Sequence, residues 1–466
     1  MSRSAATAVI RKLHEHGHAA YLAGGCVRDR LLGLTPKDHD VATDARPAEV
    51  RKLFPRSQAV GEAFGVILVY QRTAPQDQTD AGRRVPVEVA TFRAEAGYAD
   101  HRRPDAVTFT DAPHDAQRRD FTVNGLFESP GELPPAAELK PARDPSTAPP
   151  SNVQPTTRRL TDGSIILDFV GGLADLKAKT LRAIGDPDER FGEDYLRMLR
   201  AVRFAARLGF TLDPVTAQAI RNLAKHLGQI SRERIGGEVL AMLAHPRRAD
   251  ALNLLQSLRL DGPTLGEDNL QASLPTVAAL PEEAPAVTTL AAWLLDRRVP
   301  DAASNPPVDH PAGPQGRDQT FPSASAGQTY RDLLSRLPRY RKALCLSNDH
   351  TDTLTRIFRH LDAAGRWPSM TIAQRKRLLT APDWEHACAL LRARSEAQDI
   401  EQDAARLAAD GIGLAPDPLL TGRDLIGLGL KPGPRFKTLL DEAYDRQLEG
   451  QLTTRPEALK WVQTRS

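Results

Sequence analysis

The period of the hydrophobic pattern changes near residue 186, and this limits the fold more than any other feature of the chain. Up to about Glu128, short apolar runs such as Ala20-Tyr21-Leu22-Ala23, Gly65-Val66-Ile67-Leu68-Val69-Tyr70 and Val85-Pro86-Val87-Glu88-Val89 alternate with helical patterns, which predicts an α/β domain. A short strand is expected over 165–170. Beyond Asp186, apolar residues such as Leu196, Leu199, Val202 and Phe204 recur at helical spacing almost to the carboxyl end, so the second half should be all-α. Residues 129–159 collect Pro, Ala, Ser and Thr without an aromatic and are too poor in apolar surface to pack, as expected of a surface insertion. Two further stretches, 261–285 and the Pro/Ser/Ala/Gly-rich 300–328, should interrupt the helices, the latter as a flexible loop or linker.

A chain of 466 residues exceeds what one hydrophobic core usually serves, so roughly two to four domains are expected. A formal charge of +3 permits local basic surfaces but does not demand a polyanionic partner. Cys26, Cys345 and Cys388 lie far apart with no C-x-x-C pair, which argues against a disulfide framework or zinc cluster and suits a reducing cytoplasm. Residues 1–18 are amphipathic and carry Arg11, Lys12 and Glu15, unlike a signal peptide. No segment approaches the roughly 20 apolar residues of a membrane span, so no membrane and no obligate protein partner are expected.

Chemistry concentrates in Leu22-Ala23-Gly24-Gly25-Cys26-Val27-Arg28-Asp29, followed by Lys37-Asp38-His39-Asp40-Val41-Ala42-Thr43. Gly24 and Gly25 let backbone amides approach a phosphate, Arg28 can neutralise it, and the helix they introduce presents its positive end. If 37–43 is a strand, Asp38 and Asp40 share a face and offer two hard oxygen ligands suited to magnesium. A neighbouring strand, Val87-Glu88-Val89-Ala90-Thr91-Phe92, would add Glu88 as a third acid. Three such acids could hold two Mg2+ ions, one activating a hydroxyl and the other neutralising a triphosphate and its leaving pyrophosphate.

In the order G-G-x-V-R-D, D-x-D and strand glutamate, these residues resemble the class II tRNA nucleotidyltransferases and bacterial poly(A) polymerases of the DNA polymerase β superfamily. The likeness continues through Arg118-Arg119-Asp120-Phe121-Thr122-Val123-Asn124, with Gly125 where the family usually has alanine, and through Asp168-Phe169-Val170-Gly171-Gly172. It implies an α/β nucleotidyltransferase head with a mixed sheet, followed by an all-α neck, body and tail. Arg119 becomes a phosphate or ribose ligand. On this basis the head spans 1–128 and the low-complexity insertion 129–160. The end of the head and the neck occupy 161–250, the helical body 251–340, and the remaining body and tail 341–466.

Glu193-Asp194-Tyr195-Leu196-Arg197-Met198-Leu199-Arg200-Ala201-Val202-Arg203-Phe204 is similar to the family's base-reading helix. Three apart on a helix, Asp194 and Arg197 would share a face, the carboxylate accepting from an exocyclic amine while the guanidinium donates to a ring acceptor. Cytosine and adenine offer that pair of groups, whereas guanine and uracil present an imino donor where arginine needs an acceptor. Arg200 and Arg203 continue the stripe. Ile230-Ser231-Arg232-Glu233-Arg234-Ile235 resembles the segment after the neck, where support of the base-reading helix and substrate contact are both open.

Residues 93–104 resemble a flexible loop kept by relatives that add the terminal A and lacking in those that add only CC. Residues 420–429 and 431–434 resemble the tail of bacterial CCA-adding enzymes, which implies tRNA as substrate and Arg423, Lys431, Arg435 and Lys437 as backbone contacts. The resemblance therefore implies addition of CCA to the tRNA 3′ end from CTP and ATP. An A-adding enzyme or poly(A) polymerase is the second reading, although residues 460–466 lack the strongly basic extension typical of the latter. A non-catalytic RNA-binding module is the third, and it gives no reason to combine Asp38, Asp40 and Glu88 with Asp194 and Arg197.

Overall fold

A computed structural model of the chain describes residues 2–61, 65–75, 82–96, 106–131, 156–297 and 324–465. It divides into two units, residues 1–235 with 257–263, and residues 236–256 with 264–466.

The first unit opens with α1 (Arg3–Glu15), β1 (Ala20–Ala23), α2 (Gly25–Leu31), β2 (Asp40–Thr43), α3 (Pro47–Leu53), β3 (Ser57–Gly61), β4 (Val66–Arg72) and β5 (Arg84–Thr91). A two-stranded ribbon of β6 (Arg93–Ala96) and β7 (Ala106–Phe109) follows, then α4 (Ala112–Gln117), β8 (Leu126–Ser129), β9 (Thr156–Arg159) and β10 (Ile165–Asp168). The main sheet runs β3-β4-β5-β2-β1-β8-β10-β9. It is mixed, since β2 and β5 are parallel while β1 is antiparallel to both β2 and β8.

Period-2 alternation decides which side chains reach the cleft. On β5, Val85, Val87 and Val89 are buried while Arg84 before them and Glu88 among them are exposed. Val9, Ile10 and Leu13 of α1 and Val50 of α3 are buried with these valines, forming the helix-covered layer of the sheet. Tyr21, Ala23, Ala42 and Phe127 belong to a second cluster with Phe92, Ala112, Ala116 and Phe169, leaving the Asp40 and Glu88 positions facing the cleft. Pro86 is tolerated inside this sheet for a geometric reason. The Tyr70 amide bonds to the Arg56 carbonyl, so the opposed Tyr70 and Pro86 form a non-hydrogen-bonded pair and Pro86 N faces the other side. There the β2 ladder starts only at Val89, so no bond is lost.

The unit continues with α5 (Gly172–Ala178), β11 (Thr180–Leu181), α6 (Pro187–Glu193), α7 (Leu196–Leu208), β12 (Thr211–Leu212), α8 (Pro214–Leu223) and the first turn of α9 (Arg232–Leu243), whose residues from Gly236 on belong to the second unit. Asp186 starts α6 by accepting from the Asp188 and Glu189 amides ahead of Pro187, and Gly209 in the left-handed region ends α7.

The second unit is helical: α10 (Arg248–Ser257), α11 (Asp261–Leu265), α12 (Pro275–Ala279), α13 (Ala286–Asp296), α14 (Ala324–Leu344), α15 (Asn348–Ala364), α16 (Ile372–Leu379), α17 (Trp384–Ala393), α18 (Gln398–Ala408), α19 (Gly422–Gly427), α20 (Pro434–Leu448) and α21 (Arg455–Gln463). Apolar all round, α13 is buried along most of its length, with Trp293 at its centre. A separate cluster of Leu420, Leu425, Leu439, Ala443, Ala458 and Val462 joins α19 to α21.

Three expectations need correction. Residues 156–159 form β9, paired to β10, rather than unstructured insertion, because Leu160 and Ser164 close a turn between the two strands. Short helices α11 and α12 punctuate 261–285. Residues 324–328 already belong to α14. The rest of both insertions, 132–155 and 298–323, and most of the 93–104 loop lie outside the described residues. Among the described residues no helix is long and apolar enough to cross a membrane, and all three cysteines are free thiols.

Candidate active site

Parallel pairing of Val41 with Val89 sets Asp40 beside Glu88 on the open face of the sheet. The strand begins at Asp40, so Asp38 lies in the segment before β2 rather than on it. Its alternation still holds: Asp38 and Asp40 are half-buried while His39 between them is buried. All three acids line one cleft of about 670 Å3 in the first unit. Burial, together with repulsion from Glu88 and Asp38, pushes the Asp40 carboxyl up to about 6, against an opposing pull from Arg119. Burial and Asp38 likewise raise Glu88. Burial and mutual repulsion thus disfavour the ionised forms of Asp40 and Glu88, as expected of carboxylates that a bound cation would stabilise.

Asp38 and Asp40 supply two hard oxygens. No group of three or more His, Cys, Asp or Glu side chains among the described residues forms a preassembled metal site. Two carboxylates on one face fit a hard divalent cation that completes its shell with waters and substrate phosphates.

Gly24 adopts φ 77° and precedes α2, which Gly25 begins. A β-carbon at Gly24 would lie 2.8 Å from Arg119 Nη1, so glycine is required by conformation and by the close approach of that guanidinium. Arg28 is 2% exposed. Its Nε and Nη2 donate to Asp29 at 2.8 and 2.6 Å, and it also bonds to Asn124. Arg28 thus ties the glycine turn to the 118–124 segment, leaving only its edge toward the cleft. Arg119 donates to Asp115 at 2.9 Å and to the Asn124 carbonyl at 3.2 Å, and stacks over Phe127.

Asp168 shapes the next turn by accepting four backbone amides, those of Val170, Gly171, Gly172 and Leu173, at 2.9–3.0 Å. A β-carbon on Gly172 would meet the Thr122 carbonyl oxygen at 2.2 Å. Gly125, the departure from the family pattern, has a local cause. A β-carbon there would sit 2.6 Å from Val170 Cγ2 and 3.4 Å from Ile184 Cδ1, so those side chains already occupy the space of an alanine methyl.

The helix expected to read the base is broken where the sequence pattern ran straight through. α6 stops at Glu193 and α7 starts at Leu196, so Asp194 is extended (φ −152°, ψ 102°) rather than one turn from Arg197 on a continuous helix. Its side chain accepts the Leu196 amide at 3.0 Å and its carbonyl accepts the Arg197 amide, making it a cap. Asp194 and Arg197 nonetheless both line the cleft. Arg234 holds the Asp194 carboxylate at 2.6 Å, while Arg197 pairs with Glu193 and donates to the Arg190 carbonyl at 2.8 Å.

Arg200 and Arg203 also line the cleft, and with Arg28 they surround the Phe204 ring at 4.5–5.2 Å from its centroid. Arg200 makes two bonds to Asp120, at 2.9 and 2.7 Å. Burial alone would raise Asp120, but Arg200 and Asn124 outweigh it and bring the carboxyl down to about 2. Sequence reasoning gave no role to Phe204, Asp120, Asp29, Arg207 or Lys37, all of which line the same cleft; Arg207 donates to Asp29 at 3.0 Å. Nine arginines and Lys37 face six carboxylates there, and the surplus of four positive charges suits a triphosphate. Arg423, Lys431, Arg435 and Lys437 lie instead in the second unit, on α19, the following loop and α20, all exposed. Arg435 donates to the Arg465 carbonyl at 2.6 Å.

Paired strand carboxylates beside a glycine turn and an arginine-lined cleft define a nucleotidyltransferase head. Residues 20–135 match the poly(A) polymerase head domain family, and residues 209–261 match the family described as a probable RNA and SrmB-binding site of polymerase A. The chain is 32% identical over 455 residues to the CCA-adding enzyme of Lacticaseibacillus paracasei, covering 96% of this chain and 92% of that one. It is 37% identical over 279 residues to that of Anoxybacillus flavithermus, covering 60% and 57%. Among solved structures it is similar to Bacillus stearothermophilus CCA-adding enzyme in complex with CTP, with TM-score 0.63, 25% identity and coverage of 100% and 98%. Thermotoga maritima CCA-adding enzyme complexed with tRNA shares the fold at TM-score 0.58 and 17% identity, covering 98% and 94%. The chain belongs to the CCA-adding enzyme family. Nucleotidyl transfer in this family is metal-dependent.

Proposed function

We propose that this enzyme adds C, C and A to the 3′ end of tRNA from CTP and ATP without a template, releasing pyrophosphate, with the cleft of the first unit as its active site. The observation that carries this reading is the union in one cleft of Asp38, Asp40 and Glu88 with Asp194 and Arg197. The first three suit nucleotidyl transfer and the last two suit a choice of base. Asp38 and Asp40 would hold two Mg2+ ions, whose chemistry is to lower the pKa of the attacking 3′-hydroxyl and to neutralise charge on the triphosphate. Glu88 supports the same face.

The protein's own side chains orient the reactants. Arg119, packed against the Gly24 turn, and the cationic rim that includes Lys37 meet the phosphates; Arg28 and Asp29 fix the turn that places them. Asp194, held by Arg234, keeps lone pairs for the exocyclic amine shared by cytosine and adenine. Arg197 donates to the ring acceptor that guanine and uracil lack. Exposed Arg423, Lys431, Arg435 and Lys437 give the second unit salt-sensitive contacts to the tRNA backbone. The compartment in this proposal is the cytoplasm, which suits three free thiols.

The proposal is tested by Asp38→Ala with labelled CTP and a tRNA transcript ending before CCA. Incorporation should fall at least about a thousandfold, since phosphoryl transfer loses its metal ligand. Full activity in that variant would overturn the assignment.

A further inference from the structure

We propose that the open face of the head sheet carries a second binding site in which Arg56, Arg72, Arg84 and Tyr70 hold a single-stranded segment of the substrate RNA. The inference rests on the reading of the chain as an RNA-extending enzyme. The site lies at the start of β5, the strand that carries Glu88, and the end of its neighbour β4.

Strand register supplies the first observation. Arg72 is directly opposite Arg84, and Tyr70 is opposite Pro86. Because the Tyr70 amide bonds away from β5, to the Arg56 carbonyl, these are the close, non-hydrogen-bonded pairs, in which side chains on one face come nearest. Two arginines so opposed repel and destabilise the sheet. Neither Arg72 nor Arg84 makes an ion pair with a described residue. A pair of like charges without a counter-ion among the described residues suits an external anion.

The surroundings extend the argument. Lys12, Arg56, Arg72 and Arg84 line a cleft of about 370 Å3 with Phe54 and Tyr70, and no described carboxylate is among its lining residues. Tyr70 is 39% exposed, its hydroxyl fixed on Gln58 at 3.2 Å, so its ring is presented to solvent at a set angle. Lys12 sits over the Phe54 ring at 5.0 Å. Arg56, Arg72 and Arg84 share the open face with the exposed Tyr70, while Lys12 and Phe54 border the cleft from the helix-covered side. Three cations around an exposed aromatic suit phosphates and a stacked base, the combination that binds single strands without reading sequence.

Continuity with the active site identifies the occupant. Arg84 and Glu88 are four residues apart on β5 and share a face, a separation of about 13 Å. Tyr70 and Leu68 lie alongside on β4, opposite Pro86 and Glu88. An RNA whose 3′ end reaches Asp40 and Glu88 can therefore cross Tyr70 and bring its phosphates to the three arginines without leaving the sheet.

The test uses the full-length protein, a tRNA transcript ending in CC, and the double variant Arg72→Gln/Arg84→Gln beside Tyr70→Ala. Dissociation constants from filter binding across a salt series should show the double variant losing about 1.4 from the magnitude of the log–log salt slope, at about 0.7 per single-stranded phosphate contact. KM for the tRNA should rise about tenfold in both variants, with KM for ATP unchanged. Arg72→Lys/Arg84→Lys should restore the slope, which a folding defect would not allow. Unchanged tRNA affinity and slope would overturn the proposal, as would a rise in KM for ATP alone, which would make this a mononucleotide site. Binding needs no catalysis, so a wild-type protein that binds through these arginines yet adds no CCA would sink only the reading of its activity.

Discussion

Replacing Asp40 with asparagine should stabilise the metal-free protein while abolishing its activity. Asp40 ionises against burial and against Glu88 and Asp38, which carries its pKa from an ordinary 3.8 to about 6. A tenfold change in proton affinity corresponds to about 1.4 kcal/mol, so the ionised carboxylate costs the folded state about 3 kcal/mol at neutral pH. The sign follows from which state holds the proton more tightly. The native state does, so Asp40's contribution to stability is fully present below pH 3.8 and is lost as pH rises through about 6. The neutral amide of the Asp40→Asn variant would carry no such penalty. Differential scanning calorimetry in chelator at pH 7.5 should show the first unit's transition in Asp40→Asn raised by roughly 6–12 °C, at about 2–4 °C per kcal/mol for a unit of this size. Below about pH 4 the two proteins should melt together, and Mg2+ at pH 7.5 should raise the wild type far more than the variant. A variant less stable at pH 7.5, or a gain that persists unchanged below pH 4, would refute the electrostatic argument.

Other consequences follow from contacts around the cleft. Arg234→Ala removes the partner of Asp194, so kcat/KM for CTP should fall about tenfold and the preference for CTP over UTP should narrow; steady-state kinetics with both nucleotides that match the wild type would contradict this. Gly125→Ala places a methyl against Val170 and should cost about 1–3 kcal/mol in denaturant unfolding. The added substitution Val170→Ala should recover much of it, and equal losses in the single and double variants would count against the packing explanation.

What the sequence disclosed were groups whose partners lie close by in the chain. Period-2 alternation placed Glu88 between buried Val87 and Val89, and the spacing of Asp38 and Asp40 survived although only Asp40 lies on the strand. Paired glycines marked both tight turns, at Gly24 and Gly172, where a β-carbon cannot fit. The break at Asp194 escaped because the apolar spacing of Leu196, Leu199 and Val202 matches a helix whether or not it continues backward. Gly192 followed by Asp194 was the available signal of a stop and a cap.

Long-range pairings left no local trace. Asp120 meets Arg200 across 80 positions and Asp29 meets Arg207 across 178, distances at which charge pattern alone names no partner. Phe204 looked like another apolar helix residue, yet its ring gathers three guanidinium groups. Strand β9 was hidden by its composition: Thr156 to Arg159 is wholly exposed and gains its pairing from β10 rather than from burial.

The central claim is most directly tested by offering the protein labelled CTP and ATP, separately and together, with tRNA transcripts ending before CCA and after CC, and with an unstructured RNA. The account predicts ordered addition of C, C and A to the first, A alone to the second, termination after A, and negligible extension of the third. Addition of A only to the CC-ending tRNA, or long A tracts on the unstructured RNA, would contradict it.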